Sequence, residues 1–153
     1  TGKPLFKVKM SIFCRGAGDF GGERGPSPGF ELPDRKADHE VVYTTREDQA
    51  LTYRLSGDRN PLHSDPSFAA MGGFDRPILH GLCSYGFTGR ALLHTLCDGD
   101  PSRFKGMDAR FSKPVMPGDS LTISMWVDGQ EALFQTKNQG GDVVIDQGHF
   151  KFA

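Results

Sequence analysis

Gly81-Leu82-Cys83-Ser84-Tyr85-Gly86-Phe87-Thr88-Gly89-Arg90-Ala91-Leu92-Leu93-His94-Thr95-Leu96 is a mostly apolar run without a proline. Apolar on most sides and about four turns long, it predicts a buried central helix rather than a surface one. Its small residues, Gly81, Ser84, Gly86, Gly89 and Ala91, would let a sheet wrap closely around it, at about 1 kcal/mol of helix propensity for each interior glycine. If the helix starts near His80, the Gly81 amide is an unpaired donor at the positive helix end. A developing oxyanion would be stabilised there.

Everything after Lys105 reads as strands and turns. Gly106 to Lys113 is a strand, ended by Pro114-Val115-Met116-Pro117-Gly118-Asp119, a turn that no central strand continues through. Ser120 to Val127 places Leu121, Ile123, Met125 and Val127 on one side. Asp128-Gly129 is a hairpin signal, and Ala132 to Lys137 is the return strand. Gly140-Gly141-Asp142 makes a further turn before Val143 to Ile145 and Gln147 to Phe152. The order predicts an α+β fold in which a curved antiparallel sheet wraps one helix.

Upstream, His39 to Tyr43 is a short strand. Thr44-Thr45-Arg46-Glu47 has the form of a capping box and predicts a helix from about Thr45 to Leu55, with Ala50, Leu51, Arg54 and Leu55 on a largely apolar face. Phe68 to Met71 reads as a helical turn closed by Gly72-Gly73, with Asp65 as its cap. Leu5 to Arg15 alternates with period two, as a strand does. Gly16-Ala17-Gly18-Asp19-Phe20-Gly21 matches the dinucleotide fingerprint, but the glycines and prolines that follow exclude the helix on which that motif depends. Residues 16 to about 36 read as a connector.

Composition narrows the function. With 153 residues, 18 basic against 19 acidic groups and a net charge of −1, the chain has a full core and no single-sign field, so nucleic acid is not expected as a partner. No apolar run is long enough for a membrane span, and no signal-peptide plan opens the chain. Cys14, Cys83 and Cys97 are odd in number without a close pair, and read as three buried thiols in a reducing or peroxisome-like compartment. The opening Thr1-Gly2 reads as part of something longer.

The chemistry concentrates in Leu55-Ser56-Gly57-Asp58-Arg59-Asn60-Pro61-Leu62-His63-Ser64-Asp65-Pro66. A carboxylate, an amide and an imidazole fall within six residues, and the flanking Gly57 with the internal Pro61 favours a turn that fixes Asp58 relative to His63. Such a pair can hold one water between two proton-transfer groups. His80 with Cys83 is a poor zinc pair because no second pair accompanies it, so no metal is expected and His80 reads as a buried histidine at a helix start. His39, His94 and His149 are isolated.

From Asp58-Arg59-Asn60-Pro61-Leu62-His63 through Asp65-Pro66, Ala69, Gly73-Phe74 and Pro77-Ile78-Leu79-His80-Gly81-Leu82-Cys83, the sequence resembles the MaoC-like hydratase 2 family, the (R)-specific enoyl-CoA hydratases of peroxisomal multifunctional enzymes. The likeness runs from about Val8 to Phe152. It implies a hot-dog fold and hydration of trans-2-enoyl-CoA to (R)-3-hydroxyacyl-CoA in fatty acid beta-oxidation, with no cofactor beyond the coenzyme A carried by the substrate. Asp58 and His63 match the family's catalytic pair, Asn60 the residue that helps hold the site, and the Gly81 amide the donor to the thioester carbonyl. Arg59, Pro61 and Leu62 match the rest of the segment lining the acyl-CoA site, and Phe111 a position near the bound acyl group. Family members of this type are similar to two fused hot-dog repeats with catalysis in the second. Residues 1–36 then read as strand and connector, the tail of a first repeat, and 37–153 as the catalytic hot-dog domain. The expected partners are the thioester and either a second copy in a homodimer or a companion repeat. The resemblance implies the peroxisome, although Lys151-Phe152-Ala153 is not a peroxisomal address. The competing readings are an acyl-CoA thioesterase and a non-catalytic acyl-CoA-binding or assembly domain. Which of Asp58 and His63 activates the water is left open.

Overall fold

The computed structural model describes residues 2–12, 14, 16–23 and 29–153. Five strands form one antiparallel sheet: β1 (His39–Thr44), β2 (Phe104–Phe111), β3 (Ser120–Asp128), β4 (Glu131–Asn138) and β5 (Val143–Phe152), in the spatial order β1-β3-β4-β5-β2. Two short helices, α1 (Gln49–Arg54) and α2 (Pro66–Met71), precede the long helix α3 (Gly81–Leu96), which packs against the sheet. This is the α+β architecture expected from the chain's pattern and the hot-dog fold that the resemblance implies, with the central helix at the residues that predicted it.

Alternation decides which face of the sheet meets α3. Leu121, Ile123 and Met125 on β3, Ala132 and Phe134 on β4, and Phe150 on β5 are buried, and Ala91, Leu92 and Leu96 of α3 close over them. One polar pair lies inside this core. The Thr88 hydroxyl bonds the Ser84 carbonyl at 3.1 Å and Thr136 Oγ1 on β4 at 2.9 Å, so α3 is fixed in rotation and not only in distance. Gly129, at φ +59°, takes the left-handed position that the two-residue β3–β4 loop demands. The two strands expected over 143–145 and 147–152 are one, β5, because a bulge with Gln147 at φ +52° absorbs the irregularity without ending the ladder.

Three expectations fail near the N-terminus. Residues 5–12 form no strand, and Leu5, Phe6, Val8, Met10 and Ile12 are exposed; an alternating stretch becomes a strand only when a neighbour takes its hydrogen bonds. The rest of that alternation, at 13 and 15, and the prolines at 26 and 28 lie outside the described residues. Cys14 is exposed, whereas Cys83 and Cys97 are buried as anticipated. The helix expected from Thr45 begins four residues later, at Gln49. Thr45 is buried and its hydroxyl donates to the Asp119 carbonyl at 2.9 Å while accepting from the Gly118 amide at 3.0 Å. Thr44 pairs with Ser120, and Arg46 holds Asp48 through two hydrogen bonds, so no capping box forms. Leu51 and Leu55 are correspondingly exposed, with only Ala50 of α1 buried.

Candidate functional site

The segment between α1 and α2 is built by local hydrogen bonds. The Asn60 amide donates to Asp58 Oδ1 at 3.2 Å, and Asn60 Oδ1 accepts from the Leu62 amide at 3.0 Å, which caps a 3₁₀ turn over Pro61–His63. Pro61 suits the first position of that turn because its missing N–H has no partner to lose. Asp65 then accepts from the Ser67 and Phe68 amides and starts α2, as the sequence suggests. The turn delivers the His63 ring inward. It is buried, and its Nδ1–H donates to the Ile78 carbonyl at 2.8 Å. A carbonyl only accepts, so Nδ1 carries the proton and Nε2 the free lone pair in the neutral ring.

α3 brings the second piece. His80 is its N-cap and Gly81 its first residue, so the Gly81 N–H has no intrahelical acceptor. Gly81 faces the Phe111 ring from the end of β2: a Cβ at position 81 would stand 3.4 Å from it. A cleft of about 270 Å³ opens between these elements, lined by His63, Gly81, Ser84 and Phe111 with apolar walls that include Phe74, Ile78, Val115 and Val144. His63 also borders a second cleft of about 190 Å³, beside Glu47, Ala50 and Arg76.

One atom each of Asp58, His63 and His80 lie within 4.8 Å of one another. One water, hydrogen-bonded at ~2.8 Å on each side, spans such a gap. The His63 and His80 rings stack at 3.8 Å with planes 28° apart. Stacked rings hold their in-plane lone pairs side by side, a poor arrangement for one ion ~2 Å from each nitrogen. His80 donates from Nε2 to the Asp58 carbonyl at 3.1 Å, and burial, with His63 beside it, pushes its pKa below the usual histidine value.

Of the positions singled out from sequence, His63, Gly81 and Phe111 line the cleft, Asp58 stands at its histidine, and Asn60 shapes the turn. Asp58, Arg59 and Asn60 are exposed, and of the segment from Asp58 to His63 only His63 lines the cleft. Sequence reasoning missed His80 as a neighbour of both Asp58 and His63. It also missed Ser84, whose buried hydroxyl, like His80 Nδ1, has no hydrogen-bond partner among the described residues. The available signal was that His80 immediately precedes the Gly81 amide.

The chain is similar to known proteins along most of its length. The chain is 48% identical over 153 residues to "Probable enoyl-CoA hydratase 2" of Dictyostelium discoideum, covering 97% of this chain and 52% of that protein. The structure of full-length peroxisomal multifunctional enzyme type 2 from Drosophila melanogaster superposes with a TM-score of 0.80 at 45% identity, over 84% of this chain and 24% of that one. An (R)-hydratase from A. caviae involved in PHA biosynthesis superposes at 0.60 with 27% identity, over 80% of this chain and 100% of that one. The chain spans about half the length of the first curated relatives it matches. Residues 30–148 match the MaoC-like domain, and the chain belongs to that family.

Proposed function

We propose that this chain is a hydro-lyase that adds water to trans-2-enoyl-CoA and yields (R)-3-hydroxyacyl-CoA, the hydration step of fatty acid beta-oxidation. The observation that carries the reading is the approach of an Asp58 oxygen and a His63 nitrogen to within 4.8 Å beside a cleft that also holds the Gly81 amide. Hydration of a conjugated thioester needs a base for the water, an acid for the alpha carbon, and a donor for the enolate-like oxygen. Asp58 and His63 divide the first two tasks around one water. Its hydroxide adds at C3, one of the pair takes its proton, and the other delivers a proton to C2 on the same face. Positioned proton-transfer groups contribute about 10²–10⁴-fold each. The Gly81 N–H donates to the thioester oxygen at the positive end of α3, and loss of a comparable donor costs roughly 3–4 kcal/mol. The apolar walls take the acyl chain, and Phe111 bounds it across from Gly81. No cofactor enters beyond the coenzyme A of the substrate.

The names of relatives 41–48% identical to this chain support the substrate class, and those named peroxisomal support residence in the peroxisome. β1 and β2 end the sheet, and the first curated relatives are about twice as long as this chain; a second copy or a companion hot-dog repeat accordingly covers an edge.

The test follows conjugated enoyl-thioester absorbance and free thiol together, with Asp58→Asn as control. The expected result is loss of absorbance without free coenzyme A, abolished by the substitution. Thiol release would assign a thioesterase instead. Silence in both channels would leave a binding or assembly domain.

A further inference from the structure

His80 has no task in the hydration scheme, yet it is 1% exposed and lies at the centre of the site. Its ring sits between His63, stacked at 3.8 Å, and Tyr53, tilted at 4.8 Å. It makes no side-chain cap bond to its own helix, although it occupies the N-cap of α3. The ring's one hydrogen bond among the described residues runs from Nε2–H to the main-chain carbonyl of Asp58.

These contacts act on the two proposed proton-transfer groups by different means. The carbonyl of Asp58 hangs from His80, so the backbone from which the carboxylate projects is held at the helix start. The ring of His63 is anchored at Nδ1 by Ile78, and an in-plane hydrogen bond leaves it free to tilt about that anchor. The stacked His80 ring blocks the tilt and sets the direction of Nε2. A leucine would fill the space without donating, and a glutamine would donate without presenting a flat face. The groups facing the His80 ring are Asp58, His63 and Tyr53, and burial, with His63 beside it, holds its pKa below the usual histidine value.

We propose that His80 is a positioning residue for the hydration reaction, a ring that holds the Asp58 backbone through Nε2–H and the His63 ring through stacking. This rests on the function proposed above. In this role it touches neither substrate nor water. A misplacement of about 1 Å in such a pair is enough to lower turnover by about 10²-fold.

The experiment compares wild type, His80→Leu and His80→Gln in the full chain, by steady-state hydration of a trans-2-enoyl-CoA and by ¹⁵N chemical shifts of the His63 ring. His80→Leu should lower kcat by about 10²-fold with KM moved less than about threefold, and the His63 nitrogens should shift toward a tautomer mixture. His80→Gln keeps a donor for the Asp58 carbonyl and should recover about tenfold of that loss. If the leucine variant does not fold, the glutamine variant alone decides: kcat below wild type by about tenfold with an altered His63 signature supports the role. Wild-type kcat and an unchanged His63 signature in whichever variants fold would overturn it. A wild-type protein inactive on the enoyl thioester would sink the hydratase reading instead, and the His63 shifts would still report whether His80 orders that ring.

Discussion

Gly148→Ala tests the part of the fold that carries the site. Gly148 on β5 faces Phe134 on β4, a fully buried residue. A Cβ at 148 would lie 2.3 Å from the Phe134 carbonyl oxygen and 2.4 and 2.5 Å from two of its ring carbons. Ordinary contact begins near 3.4 Å, so β4 and β5 must part by about 1 Å at the middle of the sheet. Overpacking on that scale costs about 3 kcal/mol or more, a large share of a total stability of roughly 5–15 kcal/mol. For a domain of this size that lowers Tm by about 6–12 °C, measured by calorimetry or by circular dichroism in parallel with urea unfolding. The decisive variant is Gly148→Ala combined with Phe134→Ala. Removing the ring relieves the two carbon contacts but leaves the nearer carbonyl, which no side-chain substitution moves. The pair should therefore fall below Gly148→Ala alone, because the Phe134 cavity adds its own ~3–5 kcal/mol. Recovery of wild-type stability in the double variant would mean that the ring, not the backbone, sets the crossing, and would refute the reasoning.

Thr88→Val should destabilise by about 1–3 kcal/mol, because it strands the buried Thr136 hydroxyl; Thr88→Val with Thr136→Val should restore much of that loss, and a double-mutant cycle in urea would show independence if the pair did not matter. Of the three cysteines, Cys14 should react with a thiol reagent at pH 8 in the native state, and Cys83 and Cys97 only on unfolding; native labelling of all three would contradict their burial. Burial pushes the Cys83 thiol from 9.0 up to about 11, so its contribution to stability is present below pH 9 and fades as pH rises toward 11; Cys83→Ala should show a shallower alkaline loss than wild type in urea midpoints. Light scattering at working concentration should give twice the monomer mass if a second copy covers a sheet edge, and a pure monomer would count against self-pairing.

Where sequence reading succeeded, the signal was local and repeated. The apolar run from Gly81 and the alternation of Leu121, Ile123 and Met125 each commit one face to burial over several turns or residues, and no distant contact overrides them. The turn at Asp58–His63 was legible for the same reason, since Asn60 and Pro61 build it from bonds within a few residues. Misreadings fell where a distant partner decided. Thr44 and Thr45 have every local qualification to cap and start a helix, but Ser120, Asp119 and Gly118, more than seventy residues away, take their hydroxyls. Residues 5–12 have the alternation of a strand and lack the neighbour that would make one. His80 was read as a buried histidine, which it is, but its stacking on His63 and its bond to Asp58 come from the meeting of a loop and a helix start that the sequence separates by seventeen and twenty-two residues.

That meeting explains why a core position and a site position are hard to separate here. Gly81 must offer its amide at the cleft, and its place depends on the rotation of α3, which the Thr88–Thr136 bond fixes against β4 two turns further along. β4 is in turn seated against β5 at the Phe134–Gly148 crossing, and β5 supplies Val144 to the cleft wall. Substitutions at Thr88 or Gly148 should therefore lower kcat beyond the fraction of protein they unfold, whereas substitutions at Leu51, exposed on α1, or Leu55, exposed at its C-cap, should leave it unchanged. Equal specific activity per folded molecule in all four variants would show instead that the α1–α2 segment and the helix start hold the site without help from the sheet.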